Sequence, residues 1–330
     1  MAVYIEKGAE DYPLGKRLLN RYEEMGKPII LVENHNKIDE LRGLPDREYI
    51  RMKRYLIIGI RKSLRLVKNE RSADWIVPFT SSGCSAYCLY CYLNCTFFKN
   101  SYLRVFVNRD DIWKAVLKKH DRLEREEVFE IGSNSDMVLE DSVTGSLQWA
   151  IKRFALLKNA RATFATKFAG IEPLLELDHR GRTQVRISVN PQEIIKRVEI
   201  GTSPLAARIA AANRLFEHGY RVGVNVAPVV LLEGWQELYA AMFEALAGGL
   251  LPDLKRQLFF EVIFMTYGLA NEQILSEAMP NAVNLLDRSI MRPKGRGKYC
   301  YRPEIRLAAE RFIINELNRR FPGAAISYIC

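Results

Sequence analysis

The sequence has little of what marks an exported or membrane-spanning protein. Its first seven residues contain no apolar core like that of a signal peptide. No apolar run approaches the roughly 18 residues that cross a bilayer. Cysteine is scarce, with six among 330 residues, and four of the six fall between residues 84 and 95. Such clustering is unlike a secreted disulfide framework, so we expect metal ligands in a reducing cytoplasm.

Acidic residues are outnumbered by basic ones. The chain carries 49 Lys and Arg against 39 Asp and Glu, a formal net charge of +10. A surplus of this size fits a polyanionic partner such as nucleic acid, although a basic protein with no special partner has the same composition. Hydrophobic residues make up 48% and charged residues 27%, which is the balance of an ordinary globular protein.

We predict three segments along the chain. Residues 1–73 form an N-terminal extension, with a short β-run at Ile29–Val32 and a helix over 47–66. Residues 74–280 form the main domain, and residues 281–330 form a C-terminal hairpin and helix. A length of 330 residues suits one main domain with appendages.

The main domain has an alternating rhythm of short β-branched runs and helical stretches. This alternation predicts an α/β fold with a parallel sheet and crossover helices. About six such units predict a partial or full barrel, with its chemistry at the carboxyl ends of the strands. The predicted strands are 75–80, 102–108, 127–131, 161–166, 184–188, 221–227 and 257–263. The predicted helices are 110–119, 144–158, 204–217, 233–247 and 270–278.

The segment 288–302 is a basic run without a single acidic residue. Glycine and proline punctuate it, which predicts a hairpin with a basic tip, followed by a helix from Pro303. The run suits contacts with a phosphate backbone, and the alternative is a solvated charged turn. Its basic residues are Arg288, Arg292, Lys294, Arg296, Lys298 and Arg302.

Three cysteines form the pattern C-x3-C-x2-C: Cys84, Cys88 and Cys91. Three thiolates on one loop can ligate three irons of a [4Fe–4S] cluster. The fourth iron then stays open and can bind the amino and carboxylate groups of S-adenosylmethionine (SAM). A zinc site completed by Cys95 and a set of inert cysteines are the alternatives.

With these motifs, the sequence resembles the spore photoproduct lyase family of radical SAM enzymes. The resemblance runs from about residue 74 to the C-terminus. It rests on a series of blocks in order along the chain: Gly83-Cys84, Cys88–Leu93, Tyr102–Asn108, Thr144–Leu147, Thr166–Phe168, Gly201–Leu205, Ala227-Pro228, Glu233–Trp235 and Gly297–Tyr299.

The resemblance implies a fold, a reaction and partners. The fold is a partial (β/α)6 TIM-type barrel of the radical SAM class with a C-terminal β-hairpin. The reaction begins with hydrogen abstraction from a thymine-type lesion in DNA by a 5′-deoxyadenosyl radical. The partners are DNA and a reducing electron donor of the flavodoxin or ferredoxin type. The hairpin residues implied to contact DNA are Arg292, Lys294, Arg296, Lys298 and Tyr299.

The resemblance also implies residue roles around SAM. The residues implied to line the SAM site are Ser135, Asp136, Lys167, Ser188 and Ala227. Tyr90 and Tyr92, which flank Cys91, match tyrosines implied to relay a hydrogen atom. Taken alone, Lys167 has the pattern of a surface lysine at a strand end, and the tyrosines have that of aromatic packing.

The chain departs from the family at two places. Ser133 stands where the family has its hydrogen-donor cysteine, and a hydroxyl O–H is much stronger than a thiol S–H. Residues 264–267, Phe-Met-Thr-Tyr, replace a more polar run, which predicts either a core strand or an apolar pocket for another substrate. Cys300 or Cys95 is a candidate replacement donor. A paralogue with another nucleotide or small-molecule substrate, and a nucleic-acid-binding protein with a structural or redox-sensing cluster, remain alternatives.

Overall fold

The computed structural model describes residues 2–96 and 102–330, apart from the side chains of residues 95 and 96. The chain divides into two compact units that interleave along the sequence. Unit 1 consists of Met1–Ser85, Leu93–Phe164 and Leu177–Thr183, and unit 2 of Ala86–Tyr92, Ala165–Glu176 and Gln184–Cys330. The segment boundaries that we predict at 73 and 280 stay predictions.

The strands are β1 (Val3–Glu6), β2 (Ile29–Val32), β3 (Leu56–Gly59), β4 (Val67–Lys68), β5 (Trp75–Ile76), β6 (Ser81–Ser82), β7 (Tyr87–Cys88), β8 (Leu103–Phe106), β9 (Glu127–Glu130), β10 (Ala160–Thr166), β11 (Thr183–Val189), β12 (Glu199–Ile200), β13 (Arg221–Val229), β14 (Phe259–Phe264), β15 (Thr266–Gly268), β16 (Met291–Gly295), β17 (Lys298–Tyr301) and β18 (Ala325–Ile329).

The α-helices are α1 (Pro13–Glu24), α2 (Asp39–Arg42), α3 (Tyr49–Met52), α4 (Leu93–Thr96), α5 (Arg109–His120), α6 (Met137–Thr144), α7 (Ser146–Phe154), α8 (Glu172–Leu175), α9 (Gln192–Arg197), α10 (Leu205–Glu217), α11 (Trp235–Gly249), α12 (Pro252–Gln257), α13 (Leu269–Ala278) and α14 (Pro303–Arg320). Among the described residues, no helix is long and apolar enough to cross a bilayer.

Unit 1 contains a five-stranded sheet in the order β2-β1-β3-β8-β6. Its first four strands are parallel, and β6 runs antiparallel to β8. Leu14 and Leu18 of α1 pack on its buried residues. The predicted helix over 47–66 is wrong: Leu56, Ile57 and Ile58 form the buried strand β3, because a short β-branched apolar run suits a parallel strand covered on both faces. Strand β8, predicted as part of the barrel, joins this N-terminal sheet instead.

A second set of strands in unit 1 has the order β10-β9-β5-β4. The pairs β10–β9 and β9–β5 are parallel, and β5–β4 is antiparallel. The predicted strand 75–80 is shorter than expected, since β5 ends at Ile76. The predicted helix 144–158 is observed as the shorter α7, Ser146–Phe154, because Gly145 adopts the left-handed conformation with φ 63° and separates α7 from α6.

In unit 2, parallel strands have the order β18-β14-β13-β11. All seven residues of β11 are buried, as expected for a strand covered on both faces. A Cβ on Gly223 would lie 2.1 Å from the ring of Phe259, so β13 can approach β14 only with glycine at this position. Helices α10 and α11 present buried aliphatic and aromatic residues to this core, among them Ile209 and Phe243.

The predicted basic hairpin is present in unit 2. Strands β16 and β17 pair antiparallel, and β15 pairs with the other side of β17. Gly295, Arg296 and Gly297 form the tip with φ of 96°, 51° and 68°, which glycine adopts without steric cost. Pro293 lies on β16, an edge strand of this sheet, where its missing N–H breaks no ladder.

Candidate active site

The cysteine loop begins where the backbone of unit 1 is tightly enclosed. A Cβ on Gly83 would lie 2.4 Å from the carbonyl oxygen of Tyr102, and Gly83 has φ +86°. Only glycine therefore fits directly before Cys84. The ammonium group of Lys53 donates to the carbonyl oxygen of Cys84 at 2.6 Å, which fixes the backbone at the first cysteine.

Cys88 and Cys91 lie in unit 2. Cys88 is on β7, which pairs antiparallel with β12 and sets Cys88 opposite Glu199. Burial, together with the nearby Glu199 carboxylate, raises the pKa of the Cys88 thiol to about 12. A thiolate at this position therefore needs a cation bound to it, which suits a metal ligand.

None of these three cysteines is in a disulfide bond. The side chain of Cys95, the alternative fourth ligand, lies outside the described residues. Among the described side chains, no three or more His, Cys, Asp or Glu are grouped to hold one metal ion. Thiolates bound to a cubane instead each bind a different iron. The donor set of three soft thiols on one eight-residue loop fits such a cluster.

A buried carboxylate that the sequence analysis missed, Glu199, lies at the centre of unit 2's polar network. Its Oε1 accepts from the Tyr90 hydroxyl at 2.5 Å and from Asn190 Nδ2 at 2.8 Å. Its Oε2 accepts from Arg208 at 2.6 Å, and Lys167 Nζ lies 4.0 Å from Oε1. Burial alone would raise the Glu199 pKa, but the two cations and the two hydrogen bonds lower it below its ordinary value. Glu199 is therefore ionised.

Arg208, which is fully buried, connects Glu199 with two backbone segments. Its guanidinium donates to the carbonyl oxygens of Ser203 at 2.7 Å and of Ser188 at 2.8 Å. It also donates to Thr202 Oγ1 at 2.7 Å. Ser188 is the second-last residue of β11, so Arg208 holds the carboxyl end of this strand beside Glu199.

A second branch of the network runs from Asn190 to the hairpin. The Tyr239 hydroxyl donates to Asn190 Oδ1 at 2.9 Å and accepts from the Val230 N–H at 2.8 Å. The next N–H, that of Leu231, donates to the Tyr301 hydroxyl at 2.9 Å. Tyr301 is the last residue of β17, so hydrogen-bonded groups link the base of the hairpin to the residues around Glu199.

The predicted SAM residues divide between the two units. Lys167 and Ser188 lie in unit 2, as does Ala227, a buried residue joined to Pro228 by a cis peptide bond. Ser135 and Asp136 lie in unit 1 between β9 and α6.

In unit 1, Ser135 Oγ lies 2.5 Å from Ser81 Oγ. Asp136 caps α6, since its carboxylate accepts from the N–H groups of Val138 and Leu139. The carboxylate of Asp136 therefore has a structural function whatever else it binds. Ser133, at the donor-cysteine position, is partly buried in the same connection.

Glu140 is a second carboxylate that the sequence analysis missed. It is buried in α6 and accepts from the Ser85 N–H at 3.0 Å and from Ser85 Oγ at 3.2 Å. Burial raises the Glu140 pKa to about 7, against the opposing effect of these hydrogen bonds. Because Ser85 follows Cys84 directly, Glu140 fixes the start of the cysteine loop within unit 1.

The two tyrosines beside Cys91 have different surroundings. Tyr92 is 53% exposed. Tyr90 points its hydroxyl at Glu199, and burial together with this carboxylate raises the Tyr90 pKa well above its ordinary value. The ammonium of Lys167 lies 5.7 Å from the centre of the Tyr90 ring.

The hairpin residues predicted to contact DNA lie on the surface. Tyr299 is partly buried, and the exposed ones are Arg292, Lys294, Arg296 and Lys298. Within residues 264–267, Phe264, Met265 and Tyr267 are buried and Thr266 is exposed. Strand β14 ends at Phe264, and β15 begins at Thr266.

Comparison with known proteins gives a consistent result. The family model described as "Spore photoproduct lyase" matches residues 1–330, so the resemblance extends through the N-terminal sheet. The chain is 34% identical to the spore photoproduct lyase of Bacillus subtilis (strain 168), over 99% of this chain and 97% of the relative. The lyase of Clostridium acetobutylicum is 32% identical, over 99% of this chain and 98% of that one.

Solved structures agree with the sequence matches. A variant spore photoproduct lyase with bound AdoMet and dinucleoside spore photoproduct has a TM-score of 0.92 and 32% identity, and the match covers 100% of this chain and 98% of that one. Spore photoproduct lyase complexed with the dinucleoside alone has the same TM-score and coverage, with 33% identity. The predicted α/β class and partial barrel of the radical SAM type are therefore confirmed.

Proposed function

We propose that this chain, which belongs to the spore photoproduct lyase family, repairs a thymine–thymine photoproduct in DNA. As a member of that family it is a radical SAM lyase, with a [4Fe–4S] cluster and SAM as its cofactors. The bound cofactors supply a 5′-deoxyadenosyl radical, which abstracts a hydrogen from the lesion. The observation that carries the proposal is the match over the whole chain to lyases that bind this photoproduct.

The chain's own residues would hold the cofactors as follows. Cys84, Cys88 and Cys91 would ligate the cluster, which is supported by three cysteines on one loop that form no disulfide bond. Lys167, an ammonium group at the end of β10, would pair with the SAM carboxylate. The hydroxyl of Ser188 would hydrogen-bond SAM at the end of β11, and the remaining proposed SAM contacts are Ser135, Asp136 and Ala227.

Glu199 would act as a positioning residue in this site. Its Oε1 accepts a hydrogen bond from the Tyr90 hydroxyl at 2.5 Å, so it fixes the orientation of this phenol within the cysteine loop. Its charge is balanced by Arg208, which also holds the end of β11. Tyr90 and the half-exposed Tyr92 would then relay a hydrogen atom, and a phenolic O–H is a weaker bond than the hydroxyl O–H of Ser133.

Ser133 favours a second candidate, a paralogue with a different nucleotide or small-molecule substrate. Without a thiol at this position, the returning hydrogen needs another source. Cys300, on β17 of the hairpin sheet and partly buried, is one candidate. The proposal also includes DNA as the substrate-bearing partner, a flavodoxin- or ferredoxin-type protein as the electron donor, and a cytoplasmic location. The exposed hairpin cations support the DNA assignment.

The test is anaerobic reconstitution of the protein with iron and sulfide, reduction, and incubation with SAM and DNA that carries the photoproduct. The proposal predicts formation of both 5′-deoxyadenosine and restored thymine, and neither product with Cys91→Ala. Formation of 5′-deoxyadenosine without thymine would favour the paralogue. Absence of both products from a protein with a full iron complement would refute the radical-enzyme assignment.

A further inference from the structure

A cavity of about 690 Å³ in unit 2 lies between the hairpin sheet and the start of α14. Its volume falls within the roughly 300–1,000 Å³ of small-molecule sites. The hairpin sheet and the segment before it contribute apolar residues and two cations. Helix α14 contributes a third cation, which the sequence analysis did not single out. The hairpin-side members include Phe264, Met265, Thr266, Arg292, Lys294 and Cys300.

On the hairpin side, the cations are held by sheet geometry. Arg292 and Lys294 both lie on β16, whose register with β17 shifts between Pro293 and Gly295, so Lys294 lies at an irregularity of the ladder. Arg292 is opposite Cys300 in the ladder, and Cys300 is opposite Thr266 on β15. All four residues line the cavity. The three-stranded sheet therefore presents two exposed cations along one wall.

On the helix side, the lining residues follow helical spacing. Pro303, Arg306, Leu307 and Glu310 occupy positions i, i+3, i+4 and i+7, which share one face of α14. The guanidinium of Arg306 lies 5.3 Å from the centre of the Phe264 ring. This contact holds the arginine against the aromatic floor of the cavity.

Arg306 has an unused donor. Its Nε is buried and has no hydrogen-bond partner within the described part of the chain. Glu310 Oε2 lies 3.8 Å away, which is close enough for an ion pair but too far for a hydrogen bond. The Arg306 side chain as a whole is 39% exposed, so an anion in the cavity would contact the terminal nitrogens of the guanidinium and not the enclosed Nε.

The cavity combines cations with apolar walls. Arg292, Lys294 and Arg306 outnumber its single acidic side chain, Glu310, while the aromatic ring of Phe264 lies beneath Arg306. The three cations favour binding of an anionic group. The apolar wall favours a ligand in which that anionic group is attached to an uncharged, partly apolar moiety. A nucleotide has both parts, whereas inorganic phosphate has only the first.

We propose that this cavity binds a phosphodiester of the DNA next to the lesion, with its sugar or base against Phe264. Arg306 binds the phosphate, and Arg292 and Lys294 neutralise it from the hairpin. The inference rests on the proposed function, since it assumes DNA as substrate. It adds a subsite outside the lesion itself and assigns Arg306 to substrate binding.

The first test measures binding of a fluorescent undamaged DNA duplex as a function of salt. Arg306→Ala should weaken binding on the order of tenfold. It should also lower the slope of log affinity against log salt by about 0.9 for the lost phosphate contact. Arg311→Ala removes an exposed arginine from the same helix but outside the cavity, and it should change neither quantity in this way. If Arg306→Ala and Arg311→Ala change the DNA affinity and its salt dependence equally, the proposal is overturned.

A second variant keeps the proposal testable if Arg306→Ala does not fold. Leu307 is 51% exposed and lines the cavity, so Leu307→Glu adds a negative charge there with little effect on the core. It should weaken duplex binding at low salt at least as much as Arg306→Ala. Unchanged binding by this variant would also overturn the proposal.

A third measurement separates this inference from the proposed function. A dinucleoside photoproduct has no flanking phosphodiester, whereas an oligonucleotide photoproduct has several. With Arg306→Ala, KM for the oligonucleotide should rise on the order of tenfold at unchanged kcat, while repair of the dinucleoside stays at the wild-type rate. An equal loss with both substrates would refute the subsite. If neither substrate is repaired even by the wild type, the proposed function fails, and the duplex-binding test still decides the subsite.

Discussion

Replacing Glu199 by glutamine should destabilise unit 2 strongly. The carboxylate is fully buried and accepts hydrogen bonds from Tyr90, Asn190 and Arg208. Glutamine is neutral, and its amide NH2 must face at least one of these donors. The positive charge of Arg208, which is also fully buried, then loses its partner. Removing one member of a buried ion pair costs about 3–5 kcal/mol.

This loss is large compared with the roughly 5–15 kcal/mol that separates folded from unfolded states in typical proteins. The expected fall in Tm is on the order of 10 °C, measured by circular dichroism during thermal unfolding. Glu193→Gln is the matched control, because Glu193 forms a surface pair with Arg197 at 3.8 Å. Exposed pairs of this kind contribute about 0–1 kcal/mol, so the control should melt close to the wild type.

A double variant tests whether the unpaired arginine causes the loss. Arg208→Met in the Glu199→Gln background removes the buried charge, so it should be less destabilised than the sum of the two single variants. Two results would contradict this inference. One is a Tm for Glu199→Gln equal to that of Glu193→Gln. The other is a double variant whose destabilisation equals the sum of those of Glu199→Gln and Arg208→Met.

Three further predictions concern the cysteine loop and its surroundings. Alanine variants of the three proposed cluster ligands, Cys84, Cys88 and Cys91, should each bind much less iron on reconstitution than the wild type. Iron content and visible absorption measure this loss. Glu140, whose pKa is raised to about 7, should stabilise the fold fully below about pH 4.5 and lose this contribution, on the order of 3 kcal/mol, as the pH rises through 7. In urea titrations Glu140→Gln should abolish that part of the pH dependence, and an unchanged dependence would contradict the assignment. Ser133→Cys should increase the thymine formed per SAM consumed, measured by chromatography, because a thiol donates a hydrogen atom more readily; no increase would place the hydrogen source elsewhere.

Local patterns in the sequence predict much of the fold. The buried run of β11 and the long apolar strand β13 have the composition of strands covered on both faces. The glycines at 295 and 297 predict the hairpin tip, because its backbone needs positive φ. The cysteine spacing predicts the cluster loop, since ligand number and spacing are set by the cluster.

The features that the sequence does not reveal depend on contacts between residues far apart along the chain. Glu199 and Arg208 look like ordinary surface charges in the sequence, and only the folded chain makes Glu199 of β12 and Arg208 of α10 a buried pair at 2.6 Å. Their position around the Gly201–Leu205 block was the one available signal. Strand β8 pairs with β3, more than 40 residues away, so periodicity cannot assign it to the N-terminal sheet. The helix predicted over 47–66 was wrong because basic residues on both sides obscure the buried run at β3.

The most direct test of the central claim is transfer of a labelled hydrogen from the lesion. The reduced, reconstituted protein would be incubated with SAM and a photoproduct deuterated at the carbon from which hydrogen is abstracted. The 5′-deoxyadenosine would then be analysed by mass spectrometry. We expect the product to gain deuterium, because the adenosyl radical takes its hydrogen from the lesion. 5′-Deoxyadenosine formed without deuterium would contradict the assignment of this chain as a photoproduct lyase.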